Sequence, residues 1–445
     1  MLRRDRTIQL IPIALAVFLS LAAVWWVGPH SIDVTDADDY LAAARFISDN
    51  GVYLRTSGEL PMFRPPLYPL LIAGVWAVFP GSILAIKVLQ VAFFALTAWL
   101  IFRIGMLVTG DRLMSLAASV IFAVNPIFLV ASASILSECL QFLLITAALY
   151  LFVSILKGER AGTGRYVSMG LILGLASLNK PSAFGIALVL VALLVVFKFR
   201  HGLDFLKSGF VVAGLFAAIL PWSFYNLKTT GEFILLTDGG GYNLWGGSLT
   251  ETIPIFEGSF ENNQVAQDDF KTLVGDLAKR RIAEWESTVG YSALSIKQRE
   301  NLWFWAGVEN VTANPALTAR LFGWKIVNFW KPYLSSEFYS PTLSLLSALF
   351  LVPFFAVGLY GLRRMWADSE NFQVALAGVV IFVAAMFIHL AFVSSIRHRL
   401  PYVDLPMTIF AGVGVGVLLS RRRIAEMVEA IFQKKIRVRE VGAGI

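Results

Sequence analysis

Residues 166–200 read YVSMGLILGLASLNKPSAFGIALVLVALLVVFKFR. Two apolar runs, 166–178 and 181–197, meet at the turn Asn179-Lys180-Pro181, with Arg165 before the first and Lys198 and Arg200 after the second. Apolar runs bracketed in this way are the pattern of helices that cross a hydrocarbon core roughly 30 Å thick, with Lys and Arg kept on the cytoplasmic side. The pattern recurs outward in both directions, near 8–28, 82–102, 113–131, 139–156, 208–226, 342–362, 372–392 and 401–419. About ten crossings result, and the chain reads as an all-α integral membrane protein. If the N-terminus is cytoplasmic, the inner connections carry Arg103 and Arg112, Lys157 with Arg160 and Arg165, Lys198 with Arg200 and Lys207, Arg363 with Arg364, and Arg421 to Arg423. Every one is basic, and a miscount by one span would put alternate clusters on the wrong side.

Composition agrees. Hydrophobic residues make up 57% of the 445 and charged ones 15%, with a mean hydropathy of +0.70, which excludes a soluble globular chain. The net charge of +7 resides mostly in the short clusters between apolar runs and sets orientation, so nucleic acid is not an expected partner. Cys139 is the single cysteine and can form no intrachain disulfide. The first run follows Arg3, Arg4 and Arg6 and ends in Trp25-Trp26 without a small-residue cleavage site, so it is expected to stay as an anchor. Pro66 to Phe79 is short for a span and opens on two prolines, which suits a helix at the outer interface. The division expected is an N-terminal membrane module at 1–226 with an outer loop at 30–80, a folded outer loop at 227–340, membrane helices at 341–420 and a cytoplasmic basic tail at 421–445. Helical patterns near Asn263 to Trp285 and Ile296 to Trp305 make the large loop, between spans seven and eight, a folded cap.

Ionisable groups gather in the outer segments. Asp36-Ala37-Asp38-Asp39-Tyr40 opens an amphipathic helix. Capping alone favours aspartate there, but a carboxylate partly screened from water gains proton affinity and suits a general base. Asp36 is the first candidate and Asp39 the second, with Asp38 and Tyr40 beside them. Arg64 precedes Pro65-Pro66-Leu67-Tyr68-Pro69, a stiff stretch that would hold a guanidinium ready to grip a phosphate, although snorkelling to lipid head groups is the plainer use. Lys87, Glu138 and Lys180 fall at outer span ends. Arg397-His398-Arg399-Leu400-Pro401 sets two arginines on the outer side against the topology rule, so both need an anionic partner. Asp238 to Gly247 is glycine-rich without a Walker lysine; Tyr242, Asn243 and Trp245 there would suit a sugar ring, and a plain glycine turn fits as well. The four histidines lack metal-ligand spacing, so a divalent metal would need carboxylates from separate loops.

Asp36 to Tyr40, Arg64 to Pro69 and Arg397 to Pro401, in this order and on one side, resemble motifs of the GT-C superfamily of polytopic glycosyltransferases, close to the protein O-mannosyltransferase and lipid A aminoarabinose transferase branch. Many members carry Asp-Glu where this chain has Asp36-Ala37. The resemblance implies a GT-C fold in the plasma membrane, both termini cytoplasmic and the active site extracytoplasmic. It implies transfer of a hexosyl or pentosyl group from a polyprenyl-phosphate-linked donor to an acceptor hydroxyl on a glycan, lipid or protein. Asp36 would take the acceptor proton, and Arg64, Lys180, Arg397 or Arg399 would hold the departing phosphate. A divalent metal stays open. The competing readings are a multi-pass transporter and a lipid-binding assembly subunit without catalysis.

Overall fold

The computed structural model describes residues 2–28, 34–53, 64–158, 162–198, 203–258, 267–334, 341–392 and 396–420. The basic tail, Arg160 and Arg200 lie outside these. Each of the ten apolar stretches is helical where described. Among the described residues, seven helices are long and apolar enough to cross a bilayer: α1 (Leu2–Val27), α4 (Ile83–Thr109), α7 (Glu138–Leu156), α10 (Leu203–Thr230), α16 (Pro341–Trp366), α17 (Phe372–Ala391) and α18 (Ile396–Ser420). The stretch near 113–131 is a pair, α5 (Arg112–Val124) and α6 (Pro126–Ala133), bent by 56°. The break has a local cause: the Asn125 side chain accepts the N–H of Ile127 and Pro126 takes the first helical position, so Asn125 caps a new helix. The runs quoted first are the 17-residue helices α8 (Thr163–Asn179) and α9 (Ser182–Lys198). The seven long helices, the bent pair and these two shorter helices account for the ten stretches.

The helices join through small residues and buried polar groups, as expected where lipid supplies no hydrophobic drive between them. A Cβ added at Gly170 would lie 2.1 Å from the Val211 carbonyl, and one at Gly214 would lie 2.4 Å from that of Val167, so α8 and α10 touch backbone to backbone. Ser20 and Ser132 share a hydrogen bond of 2.8 Å between α1 and α6, while Gln90 of α4 donates to the carbonyls of Ser132 and Ser134. Large apolar side chains such as Phe18, Leu84, Val196, Leu349 and Phe387 stand exposed on the outside of the bundle, the surface that lipid would cover.

Two short helices sit against this frame, α2 (Val34–Asn50) and α3 (Leu67–Val78). The expected interfacial helix at Pro66 to Phe79 is therefore a helix of 12 residues. Between α10 and α16 lie α11 (Gly240–Ser248), α12 (Ile253–Gly258), α13 (Gln267–Val289), α14 (Ile296–Ala313) and α15 (Pro315–Trp330). Tyr242, Trp245, Trp303 and Ala278 form an apolar core of their own there. The glycine-rich stretch, expected as a turn, is the helix α11. Its glycines serve close packing: a Cβ at Gly241 would meet the Glu300 carbonyl of α14 at 2.4 Å.

Gly170→Ala is expected to lower stability by about 1–3 kcal/mol in detergent-solubilised protein, because the methyl group has no room against α10. Gly209→Ala on α10 meets nothing within 4 Å and should leave stability unchanged or raise it by up to about 1 kcal/mol. Equal thermal melts for both variants would show that α8 and α10 are not in backbone contact.

Candidate active site

Helix α2 opens with Asp36 in its first turn. One turn on, Tyr40 is buried and meets Tyr68 of α3 edge-on at 5.0 Å, and its hydroxyl donates to Ser137 Oγ at 3.1 Å. Residues four apart share a helix face, so Asp36 is directed at the same junction, the start of α7. Burial raises the Tyr40 proton affinity, with Arg64 opposing, so the hydroxyl stays a neutral donor.

Arg64 is set by its backbone. The Tyr53 hydroxyl donates to the Arg64 carbonyl at 2.6 Å. Tyr53 is fastened in turn to α10, where the Tyr225 hydroxyl accepts from its N–H at 2.9 Å and donates to its carbonyl at 3.0 Å. The prolines that follow restrict the rest of the chain at this point. The guanidinium lies 5.3 Å from the Tyr40 ring centre and reaches Asp36 Oδ1 at 2.5 Å and Asp39 Oδ2 at 2.7 Å.

Arg397, in the first turn of α18, reaches the other Asp36 oxygen, Oδ2, at 2.5 Å and also donates to Glu138 Oε1. Glu138 opens α7, and Lys180 at the end of α8 donates to the same Oε1 at 2.7 Å. Neighbouring amides fix this corner: Asn179 donates to the Ser137 carbonyl and to Gln141 Oε1, and Gln141 donates to the Tyr402 hydroxyl. The result is a chain of alternating charge, Asp39–Arg64–Asp36–Arg397–Glu138–Lys180, drawn from α2, the segment before α3, α18, α7 and the end of α8. Three carboxylates face three cations. Among its three carboxylates, side-chain exposure rises from 1% at Glu138 through 15% at Asp36 to 58% at Asp39. Asp36 is thus half-shielded, close enough to solvent for a ligand to reach and dry enough for its charges to count.

The remaining sequence candidates are placed as follows. Asp38 is exposed on α2. Lys87 is buried and donates to the Gly28 carbonyl at the end of α1 at 2.5 Å, a helix-end contact. His398 stacks on His389 at 5.1 Å. Arg399 is fully buried, bonded to Asp404 and to the carbonyls of Phe329 and Lys331, and does not join the chain of charge. Tyr242 and Trp245 are buried on Trp303 at 5.1 and 4.6 Å, and Asn243 donates to the Gly239 carbonyl, so these three lie in the packing of the loop helices. Tyr53, Tyr225 and Asp404 were not singled out from sequence. Asp404 carried a signal, an acid inside an apolar run.

The described residues do not fit a resident divalent metal. Among the described residues no three His, Cys, Asp or Glu side chains gather in one place. Both Asp36 oxygens already take a guanidinium N–H, so a cation would have to displace an arginine.

A family model described as dolichyl-phosphate-mannose-protein mannosyltransferase matches residues 63–224. No curated protein matches the chain in sequence. Among solved structures, the archaeal oligosaccharyltransferase AglB from Archaeoglobus fulgidus, in complex with an inhibitory peptide and a dolichol-phosphate, superposes with a TM-score of 0.56 at 13% identity, over 95% of this chain and 52% of that one. The apo form of the Archaeoglobus fulgidus enzyme gives 0.55 at 14% identity over 96% and 52%, and its complex with Zn and sulfate gives 0.54 at 15% over 94% and 50%. The chain spans about half the length of these solved structures. The chain shares the fold of these solved structures.

Arg397→Met leaves a fully buried carboxylate without its main partner and is expected to destabilise the protein by about 3–5 kcal/mol. Asp39→Asn, at the exposed end, should change stability by less than about 0.5 kcal/mol. Denaturant unfolding of both variants in detergent checks the gradient; an Arg397 variant as stable as the wild type would rule it out.

Proposed function

We propose, from the premise of this shared fold, that the chain is a membrane glycosyltransferase of the GT-C superfamily that moves a sugar from a polyprenyl-phosphate-linked donor to an acceptor hydroxyl. The observation that carries this reading is the half-shielded carboxylate of Asp36 held between two arginines, with a lysine close by at the same end of the bundle. The similarity to a mannosyltransferase model and to an enzyme solved with a dolichol-phosphate supports the donor class.

The chemistry follows from the residues. The acceptor hydroxyl attacks the anomeric carbon of the sugar, and Asp36 takes its proton as the new C–O bond forms. The bond between that carbon and the phosphate oxygen breaks, leaving its electron pair on the lipid phosphate. Negative charge grows there, and Arg64, Arg397 and Lys180 are the cations placed to stabilise it. The phosphate must draw the arginines away from Asp36, which frees the carboxylate to act as base. A single displacement inverts the anomeric centre. Arg399 has no part in phosphate binding on this account, because its side chain is spent on Asp404 and on backbone carbonyls. The acceptor is a glycan, lipid or protein, and the transferred group a hexosyl or pentosyl unit. Basic residues at the end of the bundle away from the site, among them Lys157, support cytoplasmic termini and an extracytoplasmic site in the plasma membrane. Ionisable groups gathered at one end of the bundle favour surface chemistry over a transport path through the midplane.

Purified protein incubated with a panel of polyprenyl-phosphate sugars should release polyprenyl phosphate from one of them. Asp36→Asn is expected to cut that turnover by about 10²–10⁴-fold while donor binding persists. Release by none of the panel, or full activity in the Asn variant, would overturn the assignment.

A further inference from the structure

We infer that Lys325 and Arg399 are positioning residues that clamp the start of α18 against the loop helices, and thereby fix Arg397 for the donor phosphate. The inference rests on the transferase reading of Arg397.

A helix end leaves its last carbonyls without partners, and a cation is the natural cap for them. Here two cations cap three helix ends. Lys325, on α15, is 1% exposed and donates to the carbonyls of Leu390 at 2.8 Å and Phe392 at 2.6 Å, where α17 ends, and to that of Gly247 at 2.5 Å, where α11 ends. Three N–H donors meet three carbonyls. Arg399, on α18, donates to the carbonyls of Phe329 at 2.8 Å and Lys331 at 3.0 Å, where α15 itself ends. Arg399 thus ties α18 to the end of α15, and Lys325 ties α15 to the ends of α17 and α11.

The joint is closely packed. A Cβ at Gly247 would lie 2.7 Å from the backbone carbon of Phe392, so the end of α11 rests directly on the end of α17. Arg399 is further held by Asp404, five residues on, and its guanidinium lies 4.8 Å from the Phe355 ring centre on α16. Leu400 to Asp404 form a π-helical turn, whose extra residue brings position i+5 towards the place that i+4 has in an α-helix. Arg397 lies two residues before Arg399, on the opposite side of the same turn. Its backbone cannot draw away from Asp36 and Glu138 unless the two Arg399 contacts to the end of α15 give way, and α15 is itself fastened to the ends of α17 and α11 by the three contacts of Lys325. The loop helices are in this way tied to the chain of charge without touching it.

The test is a double-mutant cycle on the full-length protein, read with the donor found active in the panel. Lys325→Met is expected to raise the donor KM by about 10- to 100-fold with little change in acceptor KM. In an Arg397→Ala background the same substitution should leave donor KM unchanged, because the group it positions is gone. An equal effect in both backgrounds, or an effect on melting temperature alone, would overturn the inference. If Lys325→Met does not fold, Lys325→Gln, which retains an N–H donor, is read in the same cycle. Hydrogen exchange supplies an arm independent of activity: amides of 396–404 should exchange faster in the Lys325 variant while those of 34–50 do not change. Unchanged exchange at 396–404 would overturn the clamp whatever the enzyme does, whereas a wild type that never turns over a donor overturns the transferase reading instead.

Discussion

Arg397 joins two carboxylates that lie far from it and from each other in the chain, and the site depends on that junction. It bonds Asp36, 361 positions away, and Glu138, 259 positions away. Such contacts exist only if every helix between them returns the chain to the same end of the bundle. Helix α7 begins here with Glu138, α8 ends here with Lys180, and α18 begins here with Arg397. At its other end α7 passes to Lys157, which bonds Glu370 and Asn371 before α17. With 19 residues, α7 runs about 28 Å at 1.5 Å per residue, close to the thickness of a hydrocarbon core. The two ends are therefore distinct chemical settings, one with alternating charge and one with the basic connections.

A buried ion pair is a poor source of stability, since desolvation offsets most of the attraction, but it is costly to break from one side. A chain of six alternating charges is held in place by that asymmetry. Removing any inner member strands a charge, yet a ligand that brings its own charge can take one over. On the proposed reading, a phosphate entering beside Arg64 and Arg397 supplies the partner they would lose in leaving Asp36. On that reading, the arrangement that holds these side chains in the unliganded protein makes the carboxylate available only when the anion has arrived.

Much of this was legible in the sequence. Asp36, Arg64 and Arg397 each follow or open a helix signal at an outer boundary, and the alternation of basic connections placed them on one side. Glu138 and Lys180 were visible singly; their mutual contact was not, because pairing is a tertiary property. Arg399 parts from Arg397 for a definite reason. In the motif it looks equivalent to Arg397, but residues two apart on a helix point about 200° from each other. One reaches the cluster and the other turns into the interior, towards α15. The glycines of α11 are a similar case: glycine signals either freedom or close approach, and only the neighbour, here Glu300 of α14, decides between them. Lys325 had no signal beyond being a cation in an apolar helix, since its partners are backbone carbonyls that no side-chain pattern reveals.

Sidedness is the most direct test of this account. Single cysteines at Asp39, Arg397 and Glu370 can be probed with a membrane-impermeant maleimide in sealed right-side-out and inverted vesicles, with buried Cys139 as a native background. The account requires that positions 39 and 397 label from one face and position 370 from the other. Labelling of 39 and 397 from opposite faces would separate Asp36 from Arg397 by the thickness of the membrane and contradict the site.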